Sequence, residues 1–167
     1  MAVNETNVLI IVNNWGIEET ELTRPLRDLR KAGARVTVAA TTLDPCETVR
    51  HDRYEGETIT PDALLSDVQA ADYDLLVVPG GTCNVDRLRV NPDAIALAQE
   101  FAHEGKPIAA ICHGPWLLVN RPAAWQDADL LPLHQGRRGE RRRFARGQGG
   151  VLVRRERMDA DHLAQAR

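Results

Sequence analysis

Three short aliphatic runs constrain this chain more than anything else in it: NVLIIV at residues 7–12, LLVV at 75–78 and PIAAI at 107–111. Each is too short for a buried helix, and almost none of its positions is polar. Such runs are strands covered on both faces, as in parallel sheets with helices on each side. Between them lie helical patterns. Leu22, Leu26 and Leu29 fall at i, i+4 and i+7, and the pattern closes at Lys31-Ala32-Gly33, a cation in the last turn followed by a glycine cap. RVTVAA at 35–40 is a further β-branched strand. Residues 41–61 are polar and turn-rich, and a short strand pair is expected around residues 57–60. Residues 61–71 read as a helix with Ala63, Leu64, Leu65 and Val68 apolar. Residues 92–103 are amphipathic through Ile95, Leu97, Ala98 and Phe101. The stretch WLLV at 116–119 opens another helix. Alternating strands and helices imply an α/β fold with a parallel sheet and helices on both faces.

The 167 residues suit one such domain. With three Trp, two Tyr and two Phe, its core must be aliphatic. No apolar run approaches the ~20 residues of a membrane span, so no membrane association is expected. The first twelve residues lack a basic segment and a small-residue cleavage site, so a signal peptide is not expected. Three cysteines (Cys46, Cys83 and Cys112) in unrelated contexts read as free thiols of a reducing cytoplasm. The net charge of −3 hides a split. Residues 1–120 hold ten Lys and Arg against eighteen acids, whereas residues 121–167 hold eleven Arg, no Lys and six acids. So abrupt a change marks a boundary.

Ligands of open α/β sheets gather at the carboxyl ends of the strands. Glu18, Glu19 and Glu21 follow the first strand, Gly80, Gly81 and Asp86 follow LLVV, and Cys112-His113 follow PIAAI. Cys112 stands where a strand turns into a helix beginning Gly114-Pro115, which is the setting of a nucleophile elbow. A helix N-terminus beneath the sulfur is expected to lower its pKa from the usual ~8.5. Backbone N–H groups at the elbow and at Gly81 would then face an oxyanion. His113 serves as general acid or base only if a third group orients it. A lone Cys–His pair fits equally a small buried cysteine ending a strand. His51, His103, His134 and His162 have no metal-ligand spacing, so no metal is expected, and Gly80-Gly81-Thr82 lacks the residues of a phosphate loop. No cofactor is expected.

The strings GIEETELTRPLRDLRKAGARV, PGGTCNVDRLRVNPDAI and HEGKPIAAICHGPWLL, in that order and spacing, resemble the ThiJ/PfpI superfamily over residues 7–120. The resemblance implies a flavodoxin-like fold, related to class I glutamine amidotransferase domains. It also implies a cysteine hydrolase of the intracellular peptidase, general-stress or deglycase type, acting on peptides or small carbonyl compounds. Cys112 matches the family nucleophile, and His113 the adjacent histidine of the PfpI branch. Asp86 matches the acid that orients this histidine from a neighbouring subunit, so at least a dimer is implied. Glu21 matches the carboxyl held against the thiol, and Glu18 a second acidic position of that branch. Gly81 and the His113 backbone match the oxyanion position, with Gly80 and Gly114 flanking it. Glu19 reads as a residue complementing the helix dipole. Cys83 borders the site and is a candidate disulfide partner for an oxidised Cys112. A non-catalytic redox sensor or chaperone-like stress protein, oxidised at Cys112, is the alternative.

The resemblance stops in mid-helix at about residue 120. Residues 137–150 are Arg- and Gly-rich without periodicity, and only Gly150–Val153 looks like a core strand. Back-translated and read from the second base of each codon, residues 121–143 permit GLLPGRTLTSYPSIKDDVVNAGG, which resembles the family's usual continuation. A frameshift near residue 120 is therefore expected. It would leave an incomplete domain at 1–120 and a largely irregular tail at 121–167. A nucleic-acid role for the arginines is not expected on that reading, and an exposed apolar sheet edge is.

Overall fold

The structure, a computed structural model, describes residues 5–119, 146–147 and 150–153. In chain order the elements are β1 (Asn7–Ile11), β2 (Trp15–Glu18), α1 (Glu19–Lys31), β3 (Arg35–Ala40), β4 (Cys46–Arg50), β5 (Tyr54–Ile59) and β6 (Ala63–Leu64). After them come β7 (Leu75–Val78), α2 (Thr82–Leu88), α3 (Pro92–His103), β8 (Ile108–Ile111), α4 (Pro115–Val119), β9 (Arg146–Gly147) and β10 (Gly150–Val153).

The main sheet has the order β6-β3-β1-β7-β8-β10-β9. β6, β3, β1, β7 and β8 are parallel, β10 runs antiparallel to β8, and β9 antiparallel to β10. This is the flavodoxin-like arrangement. β1 shows why its sequence is unbroken. Val8, Ile10 and Val12 pack with Leu22 and Leu26 of α1 on one face, while Leu9 and Ile11 pack with Leu97 and Phe101 of α3 on the other. Each such burial is worth about 1.5–3 kcal/mol, so this strand can sit only at the sheet centre. The glycine cap of α1 is as expected. Gly33 has φ 94°, and the N–H of Ala34 reaches back to the carbonyl of Leu29 at 3.0 Å.

Three expectations differ. Residues 61–71 are not a helix. Asp62 ties to the edge of β3, its N–H donating to the Val38 carbonyl at 2.7 Å and its Oδ2 accepting the Val38 N–H at 2.8 Å. Ala63 and Leu64 then extend the sheet as β6, and two 3₁₀ turns follow, Leu65–Asp67 and Ala70–Asp72. Tertiary pairing to an open strand edge outweighs a weak local helix preference. The turn after β1 contains a strand, β2, and the polar excursion forms a full hairpin, β4–β5. Together they make a separate three-stranded sheet in the order β2-β4-β5. Finally, the free edge expected at β8 is covered. β10 lies antiparallel along it, from Gly150 opposite Ile111 to Val153 opposite Ile108. The rest of the expected irregular tail lies outside the described residues.

Candidate functional site

From β1 the chain passes to β3 on one side and later crosses to β7 on the other, so a crevice opens at the carboxyl ends of β1 and β7. Three segments meet there. The glycine turn after β7 is held by Asn84, a fully buried polar residue of α2. Its amide nitrogen donates to the carbonyls of Pro79 and Gly80 at 3.1 and 3.0 Å, and its oxygen accepts the Asn13 N–H at 2.7 Å. Gly81 has φ 92° and lies so close to β2 that any Cβ there would collide with the Gly16 carbonyl. The Glu18 N–H meanwhile donates to the Gly80 carbonyl at 3.3 Å.

Cys112 follows β8 with φ 53°, a left-handed conformation that residues with side chains adopt rarely and that clusters at functional sites. The turn closes through the Gly114 N–H on the Ile111 carbonyl at 2.7 Å. A Cβ at Gly114 would press on the carbonyl of Val78, so only glycine lets the elbow sit this close to β7. The thiol is exposed, with Sγ 3.4 Å from His113 Nδ1. The His113 ring in turn packs edge-on against Trp116, centroids 4.6 Å apart.

The three glutamates after β1 do three different things. Glu21 turns inward: its Oε2 accepts the Gly80 N–H at 2.9 Å, and its carboxyl stands beside the Cys112 side chain across Gly80. A Cβ on Gly80 would collide with Glu21 Oε2 and come 2.8 Å from Cys112 Cβ, so this glycine is what lets carboxyl and thiol meet. Glu19 accepts the Glu57 N–H at 2.7 Å and fastens β5, a structural tie beyond the dipole role read from sequence. Glu18 accepts the N–H groups of His51 and Asp52 at 3.1 and 3.2 Å. Asp52 accepts both the N–H and the hydroxyl of Thr82 at 2.8 Å. A cleft of about 430 Å³ is lined by Glu18, Thr20, Glu21, His51, Asp52, Gly81 and Cys112.

The electrostatics differ from the sequence expectation. Burial first, then the Glu21 and Asp52 charges, push the Cys112 thiol above its usual range; the His113 backbone N–H acts in the opposite direction. The described part of α4 is little more than one turn. Burial and the neighbouring Glu18 raise the Glu21 carboxyl, which therefore keeps its proton to higher pH than an ordinary glutamate. Cys46, by contrast, is wholly buried, and that burial pushes its thiol up to about 11.

The remaining residues named from sequence are spread around the cleft. Asp86 is exposed on α2 and pairs with Arg89 at 2.5–2.7 Å. The N–H groups of Gly80 and Gly114 are committed to Glu21 and Ile111, so neither is available to an oxyanion here. Gly81 lines the cleft, and the His113 N–H faces Sγ. Cys83 is exposed and, like Cys112, a free thiol. Sequence reasoning passed over Asp52, Thr82 and Asn84, and gave His51 no role. Once a hairpin is placed at 46–59, the polar tip His51-Asp52 is a visible signal; nothing local marks Asn84.

A doubly wound α/β domain with a cysteine elbow beside a glycine turn and an inward glutamate defines a class of cysteine-centred proteins. This chain belongs to the DJ-1/PfpI family, whose sequence profile matches residues 6–125. General stress protein 18 of Bacillus subtilis is 34% identical over 115 residues, covering 69% of this chain and 64% of that protein. A deglycase of Thermococcus kodakarensis is 33% identical over 112 residues, covering 67% and 64%. Among solved structures, oxidized DJ-1 of Toxoplasma gondii superposes with a TM-score of 0.59 at 32% identity, covering 66% of this chain and 57% of that one. The chain thus spans about 64% of the length of these curated relatives.

Proposed function

We propose that the chain carries the cysteine chemistry of a stress-protection hydrolase of the deglycase or peptidase type. The observation that carries this reading is Cys112 itself. It is an exposed thiol on a left-handed strand-to-helix turn, 3.4 Å from an imidazole and beside the inward Glu21 carboxyl, whose pKa is raised. The relatives named deglycase and general stress protein support the same reading. Cys112 Sγ attacks a carbonyl carbon. The S–C bond forms as the carbonyl π bond breaks, and the electron pair goes to oxygen, facing Gly81 and the His113 N–H. His113 takes the thiol proton; the oxyanion's electron pair then re-forms the carbonyl as the bond to the leaving group breaks, and His113 protonates that group. Water adds to the resulting thioester carbonyl and the S–C bond breaks, which releases the acid and restores the thiol. Glu21 holds the thiol in place. Asp86 reaches the His113 of a neighbouring copy, so the working form is at least a dimer, acting on a peptide or small carbonyl compound. On the frameshift reading, residues 121–167 replace the segment that would wall the site, and turnover by this chain is reduced. Cys112→Ser is expected to abolish deglycase, glyoxalase and peptidase turnover; undiminished turnover overturns the assignment.

A second reading is a redox sensor, favoured by the exposure of Cys112 and by the oxidized form of the Toxoplasma gondii relative. Mild peroxide would then convert Cys112 selectively to a stable sulfinic acid. Mass spectrometry showing that product in a chain without turnover would favour the sensor.

A further inference from the structure

The cysteine chemistry leaves one part of the cleft unexplained. His51 and Asp52 form the tip of the β4–β5 hairpin, and both have positive φ, 58° and 54°. The Arg53 N–H closes the turn on the Arg50 carbonyl at 3.2 Å, and turns with positive φ at both central residues favour Asn and Gly, because most side chains resist the left-handed region. A histidine and an aspartate hold it here, and two ties keep them there. The Glu18 carboxylate takes both tip N–H groups at 3.1 and 3.2 Å. The Asp52 carboxylate takes the N–H and hydroxyl of Thr82, each at 2.8 Å. The tip is therefore fastened to β2 at one end and to the start of α2 at the other. Glu18, His51, Asp52 and Cys112 line one cleft. Because both ties are carboxylates, the wall they build carries negative charge, and Glu21 stands beside the thiol itself.

We propose that the latched tip His51–Asp52 is the specificity wall of the Cys112 cleft, with Glu18 and Thr82 as its latches and the Asp52 carboxylate turning anionic electrophiles away from Sγ while neutral and cationic ones pass. Glu18 is then a positioning residue, acting through the hairpin and not on the thiol. The influence of Asp52 on the Cys112 thiol is consistent with its charge being felt at the sulfur. The inference rests on Cys112 being the reacting group of the proposed function. It names the substrate class that function admits: carbonyl compounds without a negative charge near the reacting carbon.

The test is alkylation, which needs no turnover. Full-length protein carrying Cys83→Ser is treated with iodoacetamide, which is neutral, or iodoacetate, which is anionic. Modification at residue 112 is followed by mass spectrometry, with rates corrected for thiolate fraction and referred to free cysteine. The wall predicts that iodoacetate is disfavoured about tenfold beyond the ratio for free cysteine, the low end of focusing in a charged cleft. Asp52→Asn keeps an acceptor for the Thr82 N–H and a polar partner for its hydroxyl, and is expected to cut that penalty at least threefold. Glu55→Gln, on β5 outside the cleft, should leave it unchanged. An unchanged penalty in Asp52→Asn, or an equal fall in Glu55→Gln, overturns the proposal. Should Asp52→Asn fold poorly, salt replaces it: about 0.5 M salt should shrink the penalty in the otherwise unaltered protein, and an insensitive ratio overturns it equally. The two readings fail separately. If Cys112→Ser retains turnover while the alkylation penalty behaves as stated, the proposed reaction and the substrate class drawn from it fall, and the charge discrimination of the wall at Sγ stands.

Discussion

Gly81 offers the sharpest test of how this site is assembled, and Gly105 supplies an internal control. Both have positive φ, 92° and 68°. Placing alanine at either position forces a side chain into backbone space it avoids, at a cost of about 1–2 kcal/mol in the left-handed helical region and at least that at Gly81, whose ψ of 123° lies outside it. Their surroundings are opposite. A Cβ at Gly105 meets nothing within 4 Å, whereas one at Gly81 would collide with the Gly16 carbonyl and lie 2.7 Å from the Glu18 backbone nitrogen. These are backbone atoms of β2 and cannot swing aside. Overpacking of this kind adds about 1–3 kcal/mol. Gly81→Ala should therefore cost about 2–5 kcal/mol in all, and Gly105→Ala only the conformational part. In a chain of this size each kcal/mol moves the thermal midpoint by about 2–4 °C. Urea melts of the two variants, followed by circular dichroism, measure the difference directly. Because β2 carries Glu18, Gly81→Ala should also disturb the hairpin tip and change the alkylation rate of Cys112. Equal midpoints for the two variants would refute the claim that close approach of the glycine turn to β2 is what builds the cleft.

Two further outcomes follow from the buried polar groups. Asn84→Ala strands the Asn13 N–H and the Pro79 carbonyl and leaves the Gly80 carbonyl with the Glu18 N–H, and should cost about 1–3 kcal/mol in a urea melt, as for any buried partner left unpaired. Glu21→Gln should flatten the pH dependence of stability just above the ordinary carboxylate range. The folded pKa of Glu21 is raised, so the folded state holds its proton more tightly than the unfolded chain. The stability this contributes is full below the unfolded pKa and is lost as pH rises through the folded one. Melts at stepped pH measure the slope; an identical slope in Glu21→Gln rejects the assignment.

The sequence by itself determined the layered α/β order. A strand such as NVLIIV, apolar at nearly every position, is stable only when covered on both faces, and that property is local. It also determined the elbow at Cys112, because Gly114-Pro115 and the end of a core strand are adjacent in the chain. Only the tertiary structure decided what surrounds the sulfur. By charge and spacing alone Glu18, Glu19 and Glu21 form one acidic helix start, and only the family resemblance set Glu21 against the thiol; in the structure Glu18 fastens a hairpin tip, Glu19 fastens β5 and Glu21 stands beside the thiol. Their roles depend on partners about thirty to ninety residues away, which no local period encodes. The same holds for residues 61–71, whose helical pattern yielded to pairing with β3. It holds too for the thiol's pKa, raised first by burial and then by carboxylates that folding brings from two other segments. Burial and charge act through space, and sequence spacing reports only the chain path between them.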